Sequence, residues 1–162
     1  MSAWRTVPWF AVALNRFLER NVTKDMDILE MGAGGSTVWL AARAKSIRSY
    51  EHDNRWCALV QSKLRDAGLK NCELVYDLNY PELGIKENAR EFDIIIIDGR
   101  GRVKSMKTTY RLLRPGGYLI LDDSQRVRYA EGKAFLDSLN WERIELKLEG
   151  IKKSATAWRK SR

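Results

Sequence analysis

At 162 residues the chain is the length of one domain, and its composition, 44% hydrophobic and 31% charged with three prolines, is that of a globular protein rather than a disordered or fibrous one. Lys plus Arg number 29 against 21 Asp plus Glu, and the resulting +8 favours anionic partners without choosing between a small phosphorylated molecule and nucleic acid. The two cysteines, Cys57 and Cys72, have no C-x-x-C spacing and only His52 to assist them, which excludes an ordinary zinc site and reads as reduced packing residues of a cytoplasmic protein.

In chain order, the first apolar stretch runs directly into Arg16, Glu19 and Arg20, and no small-x-small cleavage site follows. It reads as an amphipathic helix opening near Pro8, part of an extension over residues 1–24 that packs on the domain, rather than as a signal peptide. No apolar run approaches the ~18 residues of a membrane span. "MDILEM" is a short strand, and "STVWLAARA" a helix with Ser36 or Thr37 as its N-cap. "IRSYEH" is the second strand. In "NRWCALVQSKLRDAG", Trp56, Leu59, Val60 and Leu64 recur at helical spacing, and Gly68 ends that helix.

"NCELVYD" is a third strand, and "YPELGIKENAREF" a loop with a helical turn or two. The four isoleucines of "FDIIIID" suit a strand buried on both faces, as in the middle of a parallel sheet. "SMKTTYRLLRPGG" predicts a helix stopped by Pro115-Gly116-Gly117, followed by the strand "YLILDD" and the helix "YAEGKAFLDSL". "WERIELKLEG" and "SATAWRK" alternate and can pair antiparallel. Seven strands alternating with helices imply a doubly wound, mostly parallel α/β sheet with an antiparallel C-terminal hairpin. Ligands of such sheets lie beyond the carboxyl ends of the strands. That directs attention to Glu30–Thr37, Glu51–Asn54, Asp77–Tyr80, Asp98–Arg102 and Asp122–Arg128.

The turn "EMGAGGST" brings backbone close to a ligand. A dinucleotide fingerprint would end on a third small residue, where this chain has the β-branched Thr37. Glu30, moreover, would be unhelpful beside a diphosphate but suits a cationic amino-acid ligand. Here the sequence resembles the class I S-adenosylmethionine-dependent methyltransferases, whose first motif is acid-x-Gly-x-Gly. The resemblance continues through "SYEHD", Asp77 after "ELVY", "FDIIIIDG" and "LLRPGGYLILDD", and covers nearly all of the chain after residue 27.

The resemblance implies a Rossmann-like methyltransferase fold and S-adenosylmethionine as cofactor. It places Glu30, Gly32, Gly34, Gly35, Ser36 and Thr37 beside the methionine and ribose parts, and Glu51 with His52 at the ribose hydroxyls. Asp77 falls at the position that often contacts adenine, or is a turn residue, and Asp98 lies at the cofactor's reacting end. With one histidine in the chain, a Ser-His-Asp triad is disfavoured, and the cofactor brings its own electrophile.

Asp98, Asp122 and Asp123 should cluster at two strand ends, where three carboxylates repel unless cations or a proton intervene. A divalent metal is possible, as in catechol-type O-methyltransferases. Pairing with Arg100, Arg102, Arg126 and Arg128 is favoured, since Asp123 stands where those enzymes commonly have Asn. The same arginines suit a small anionic or sugar-like acceptor, methylated on oxygen, with Asp98 or Asp123 as base and Arg100 as a substrate contact.

Two other readings compete. A nucleic-acid methyltransferase draws on the net charge and six tryptophans, but "DGRG" lacks an Asn/Asp-Pro-Pro-aromatic element. A non-catalytic cofactor-binding subunit would expose tryptophans among Trp4, Trp9 and Trp39.

Overall fold

The computed structural model describes residues 7–80 and 90–162. Helix α1 (Val12–Asn21) leads into β1 (Asp27–Met31), α2 (Gly35–Ala41), β2 (Ser46–Glu51), α3 (Asn54–Asp66) and β3 (Cys72–Tyr76). After residues 81–89 come β4 (Phe92–Ile97), α4 (Arg102–Thr109), β5 (Leu113–Asp122), α5 (Ala130–Asp137), β6 (Glu142–Leu146) and β7 (Ala155–Arg159). Most of the expected loop "YPELGIKENAREF" lies outside the described residues.

The strands form one seven-stranded sheet in the order β3-β2-β1-β4-β5-β7-β6. Strands β1 to β5 are mutually parallel, and β7 runs antiparallel between β5 and β6, as the alternating tail segments predict. The order turns back between β1 and β4, so the carboxyl ends of those two strands mark the switch point where a crevice opens.

The isoleucine run of β4 explains its central place. Ile94 and Ile96 enter the core that Leu14, Leu18, Leu40, Val60 and Leu64 of α1, α2 and α3 complete. Ile95 and Ile97 point the other way, into the core of Met106, Tyr129 and Leu136. A strand with helices on both faces has no solvent side, so alternation disappears from its sequence. Leu14 and Leu18, one helical turn apart and fully buried, are the stripe by which α1 joins the first core. Cys57 and Cys72 are both free thiols, and burial pushes Cys72 up to about 12. No helix among the described residues is long and apolar enough to cross a membrane.

Two local expectations need correction. The helix expected over "SMKTTYRLLRPGG" starts earlier, at Arg102, and gives way to a 3-10 turn over Tyr110–Leu112. Pro115-Gly116-Gly117 do not terminate it. They lie inside β5, where the ladder to β4 jumps from Phe92↔Leu113 to Ile94↔Tyr118 and the intervening residues bulge out. Gly116 takes φ +80°, and a Cβ on Gly117 would meet the Asp93 carbonyl at 2.5 Å. Nor are Ser36 or Thr37 the N-cap of α2. Gly34 is, its N–H donating to Thr37 Oγ1 at 2.9 Å.

Candidate functional site

The glycine turn is held from below by Glu30. Its carboxylate, fully buried on β1, accepts from the Ser36 and Thr37 hydroxyls of α2 and from Ser49 Oγ of β2. The Thr37 and Ser49 bonds are both 2.6 Å. Burial raises Glu30 above the ordinary carboxyl range, and the three hydroxyls oppose that shift. Glu30, Ser36 and Thr37 therefore form a bracket under the turn, and all three are closed off from solvent.

Gly32 has φ +105°, and a Cβ there would stand 2.5 Å from the Gly99 nitrogen. The crossing of two backbones at the switch point therefore requires glycine here. Gly99 is locked in turn, because its own Cβ would overlap the Tyr80 hydroxyl. Gly34, by contrast, is extended at φ −178°, where a Cβ would make only ordinary van der Waals contact with Ser36 and Trp56 at 3.9 Å, and Gly35 is the first residue of α2.

At the end of β2, Glu51 Oε1 accepts from the backbone N–H of His52 and of Asp53, each at 2.8 Å. These bonds fix a buried carboxylate whose edge faces the crevice. Asp53 caps α3 by accepting from the Arg55 and Trp56 amides, and the Trp56 indole donates to the Ala33 carbonyl at 2.7 Å. Trp56 thus ties α3 to the glycine turn. Sequence spacing marks it only as helical packing, since an indole bond spanning 23 residues leaves no local signal. Asp77 Oδ1 accepts from Asn79 N at 2.8 Å, an Asx turn, and Asp77 is not among the described residues lining the crevice.

Asp98, Asp122 and Asp123 come together at the ends of β4 and β5, each with a carboxylate oxygen within 4.8 Å of the others. Arg102 sits among them, Nη2 3.0 Å from Asp98 Oδ1 and Nη1 3.8 Å from Asp123 Oδ2. It also donates to the carbonyls of Asp98, Gly99 and Asp122, which staples β4 to β5. Arg126 pairs with Asp123 at 2.8 Å. Lys153, from the β6–β7 loop, lies 3.0 Å from Asp122 Oδ2 and 3.7 Å from Asp123 Oδ1. Asp122 Oδ1 accepts from Ala11 N at 3.0 Å, just before α1. Two guanidiniums and an ammonium thus pair with oxygens that are also spaced closely enough to hold a cation.

Of the four arginines expected to balance the acids, Arg102 and Arg126 do so and Arg100 and Arg128 do not. Arg100 donates to the Leu78 carbonyl, and Arg128 lies over the Tyr129 ring at 5.1 Å. Lys153 is the partner that sequence proximity missed, 30 residues from Asp123 along the chain.

Above these elements opens a cavity of about 1180 Å³. At one end are Gly32, Ala33, Glu51, His52, Asp53 and Trp56; Asp98, Gly99 and Arg100 form its middle. The other end runs along α4 to Tyr129, Arg128 and Glu131. Asp122 and Asp123 stay beneath it, buried. Burial pushes Asp98 up to about 7, the Asp122 carboxylate adding to the rise and Arg102 opposing it. Trp39 is buried and Trp9 exposed, while Trp4 lies outside the described residues.

No family model and no curated relative matches the sequence. Solved structures do. A precorrin-6y C5,15-methyltransferase from Geobacter metallireducens GS-15 superposes with a TM-score of 0.71 at 16% identity, over 96% of this chain and 100% of that one. An rRNA methylase from Streptococcus thermophilus gives 0.68 at 16%, covering 91% and 93%. A methyltransferase structure from Streptococcus mutans in complex with SAH gives 0.68 at 18%, covering 90% and 94%. The chain has the Rossmann-like fold of these methyltransferases.

Proposed function

We propose that this protein is an S-adenosylmethionine-dependent methyltransferase acting on an oxygen of a small anionic acceptor. The observation that carries the reading is the single cavity that joins Glu51 and the Gly32 turn to Asp98 and Arg100. Its volume of about 1180 Å³ exceeds the roughly 300–1,000 Å³ usual for one ligand, leaving room for cofactor and acceptor together. The neighbour crystallised with SAH supports the cofactor assignment.

The residues present fit the cofactor. Glu51, its carboxylate pinned by two backbone amides, would take the ribose hydroxyls, and His52 would flank the adenine. The Gly32–Ala33 backbone, held by Trp56, would run beside the methionine part, while Glu30 acts through the turn without touching the ligand. When bound, the cofactor supplies a methyl carbon already activated by its sulfonium. What remains for the chain is to align the acceptor oxygen and take its proton. Asp98 is the base best placed for this, facing the cavity with its carboxyl near neutrality. Asp123, clamped by Arg126 below the cavity floor, serves as a structural counter-charge. The chemistry needs no metal where Arg102, Arg126 and Lys153 already neutralise the acids.

A nucleic-acid acceptor is the alternative, favoured by the +8 charge and by the neighbour described as an rRNA methylase. Calorimetric titration of S-adenosylmethionine, with NAD in parallel and Glu51→Ala as control, tests the main reading. Binding of the sulfonium cofactor alone, weakened at least tenfold in Glu51→Ala, is the expected result, since hydrogen bonds to a charged group contribute about 1.5–3 kcal/mol. Preference for NAD, or no binding, would overturn it. Steeply salt-dependent binding of an oligonucleotide would favour the alternative acceptor.

A further inference from the structure

The end of the cavity away from Glu51 holds a guanidinium that no carboxylate among the described residues compensates. Arg102 is taken up by Asp98 and three carbonyls, and Lys107 pairs with Glu131 at 2.5 Å. Arg100 and Arg128 differ. Both line the cavity, and among the described residues neither meets a carboxylate. Arg100 is steadied through one donor on the Leu78 carbonyl, leaving the rest of its fork available. Arg128 is steadied by the face of Tyr129, a contact that uses none of its five donors.

Tyr129 also sets the spacing. Its ring lies 5.3 Å from the Arg102 guanidinium and 5.1 Å from that of Arg128, and Arg102 is 3.0 Å from Asp98. A chain of contacts therefore runs from the candidate base through Arg102 and one aromatic ring to an uncompensated guanidinium. Guanidinium forks bind phosphate and carboxylate through paired hydrogen bonds, and they do so best when the side chain is already held in place.

Resting on the methyltransferase reading, we infer that Arg128 forms an oxyanion subsite at the end of the cavity away from Glu51, whereas Arg100 is turned toward the end of β3 by its bond to Leu78. The acceptor is then a small phosphate- or carboxylate-bearing molecule. Its methyl-accepting oxygen lies at Asp98, and its anionic group reaches past Tyr129 to Arg128. Arg126, equally attractive in the sequence, is excluded as a substrate contact by its bond to Asp123.

The test is a calorimetric titration of the protein, saturated with SAH, using inorganic pyrophosphate and succinate as probes. Arg128→Gln is compared with Arg111→Gln, an exposed site outside the cavity. One probe should bind to the wild-type protein and to Arg111→Gln but at least roughly tenfold more weakly to Arg128→Gln, with SAH affinity unchanged throughout. Which probe binds separates a phosphate from a carboxylate acceptor. Equal binding in wild type and Arg128→Gln, or binding of neither probe, overturns the subsite while leaving the methyltransferase reading intact. Competition between SAH and the probe also overturns it, since the arginine would then be reading the cofactor's carboxylate. Failure of SAH to bind at all strikes the methyltransferase reading instead. A twelve-nucleotide single strand that binds more tightly than either probe, with a multi-charge salt slope, replaces the small acceptor with a polynucleotide.

Discussion

Gly32 and Gly34 stand two positions apart in one motif and have different physical duties. At Gly32 a methyl group would meet both a positive φ and the Gly99 backbone at 2.5 Å, neither of which can yield by a rotamer change. Gly32→Ala is expected to cost about 2 kcal/mol or more and to abolish cofactor binding. Gly34→Ala, extended and unobstructed, should stay within about 1 kcal/mol of wild type. Urea unfolding midpoints of the two variants check the contrast, and equal losses would refute it. Asp98 makes a second prediction. Its folded carboxyl titrates near 7, above the 3.8 of a free aspartate, so the folded state holds its proton more tightly than the unfolded chain. The stability this confers is fully present below about pH 4 and is lost as pH rises through about 7. Asp98→Asn should flatten that loss between about pH 4 and 7. If Asp98 is the base, acceptor turnover in the wild-type protein should climb with pH through about 7, and turnover unchanged from pH 5.5 to 8.5 would remove it from that role.

Between elements, the most consequential join is one that no pattern announces. Asp122, buried at the end of β5, accepts from the backbone at the start of α1 and faces Lys153 of the β6–β7 loop. Lys153 also donates to the Trp9 carbonyl. One carboxylate and one ammonium thus fasten the first helix and the C-terminal hairpin to the same strand end. Lys153→Met should cost on the order of 2 kcal/mol, since a buried carboxylate loses its cation but keeps the Ala11 amide, and the lysine is partly exposed. Hydrogen exchange should accelerate in α1 ahead of the sheet, whereas uniform acceleration would argue against the tie. The β5 bulge makes the same point about legibility. Pro-Gly-Gly reads as a helix stop because those residues disfavour helix, but they disfavour a flat strand equally, and only pairing with β4 decides which.

For the molecule as a whole, the sequence by itself determined the architecture. Strand and helix periods repeat within a few residues, the four isoleucines of β4 announce a strand covered on both sides, and acids and glycines at strand ends mark the active edge. These features depend on neighbours in the chain, so the sequence carries them before any tertiary contact forms. Only the tertiary structure decided which charges cancel and which remain. Arg100, Arg102, Arg126 and Arg128 look alike in sequence. Folding sends two of them into the aspartate cluster, rests the other two against a carbonyl and a ring, and brings Lys153 from a distant loop to complete the neutralisation. It likewise buries Glu30 as a bracket under the glycine turn. Pairing of this kind depends on distances between side chains far apart in the chain. Coulomb and hydrogen-bond energies change steeply over a few ångströms, and sequence spacing carries no measure of them.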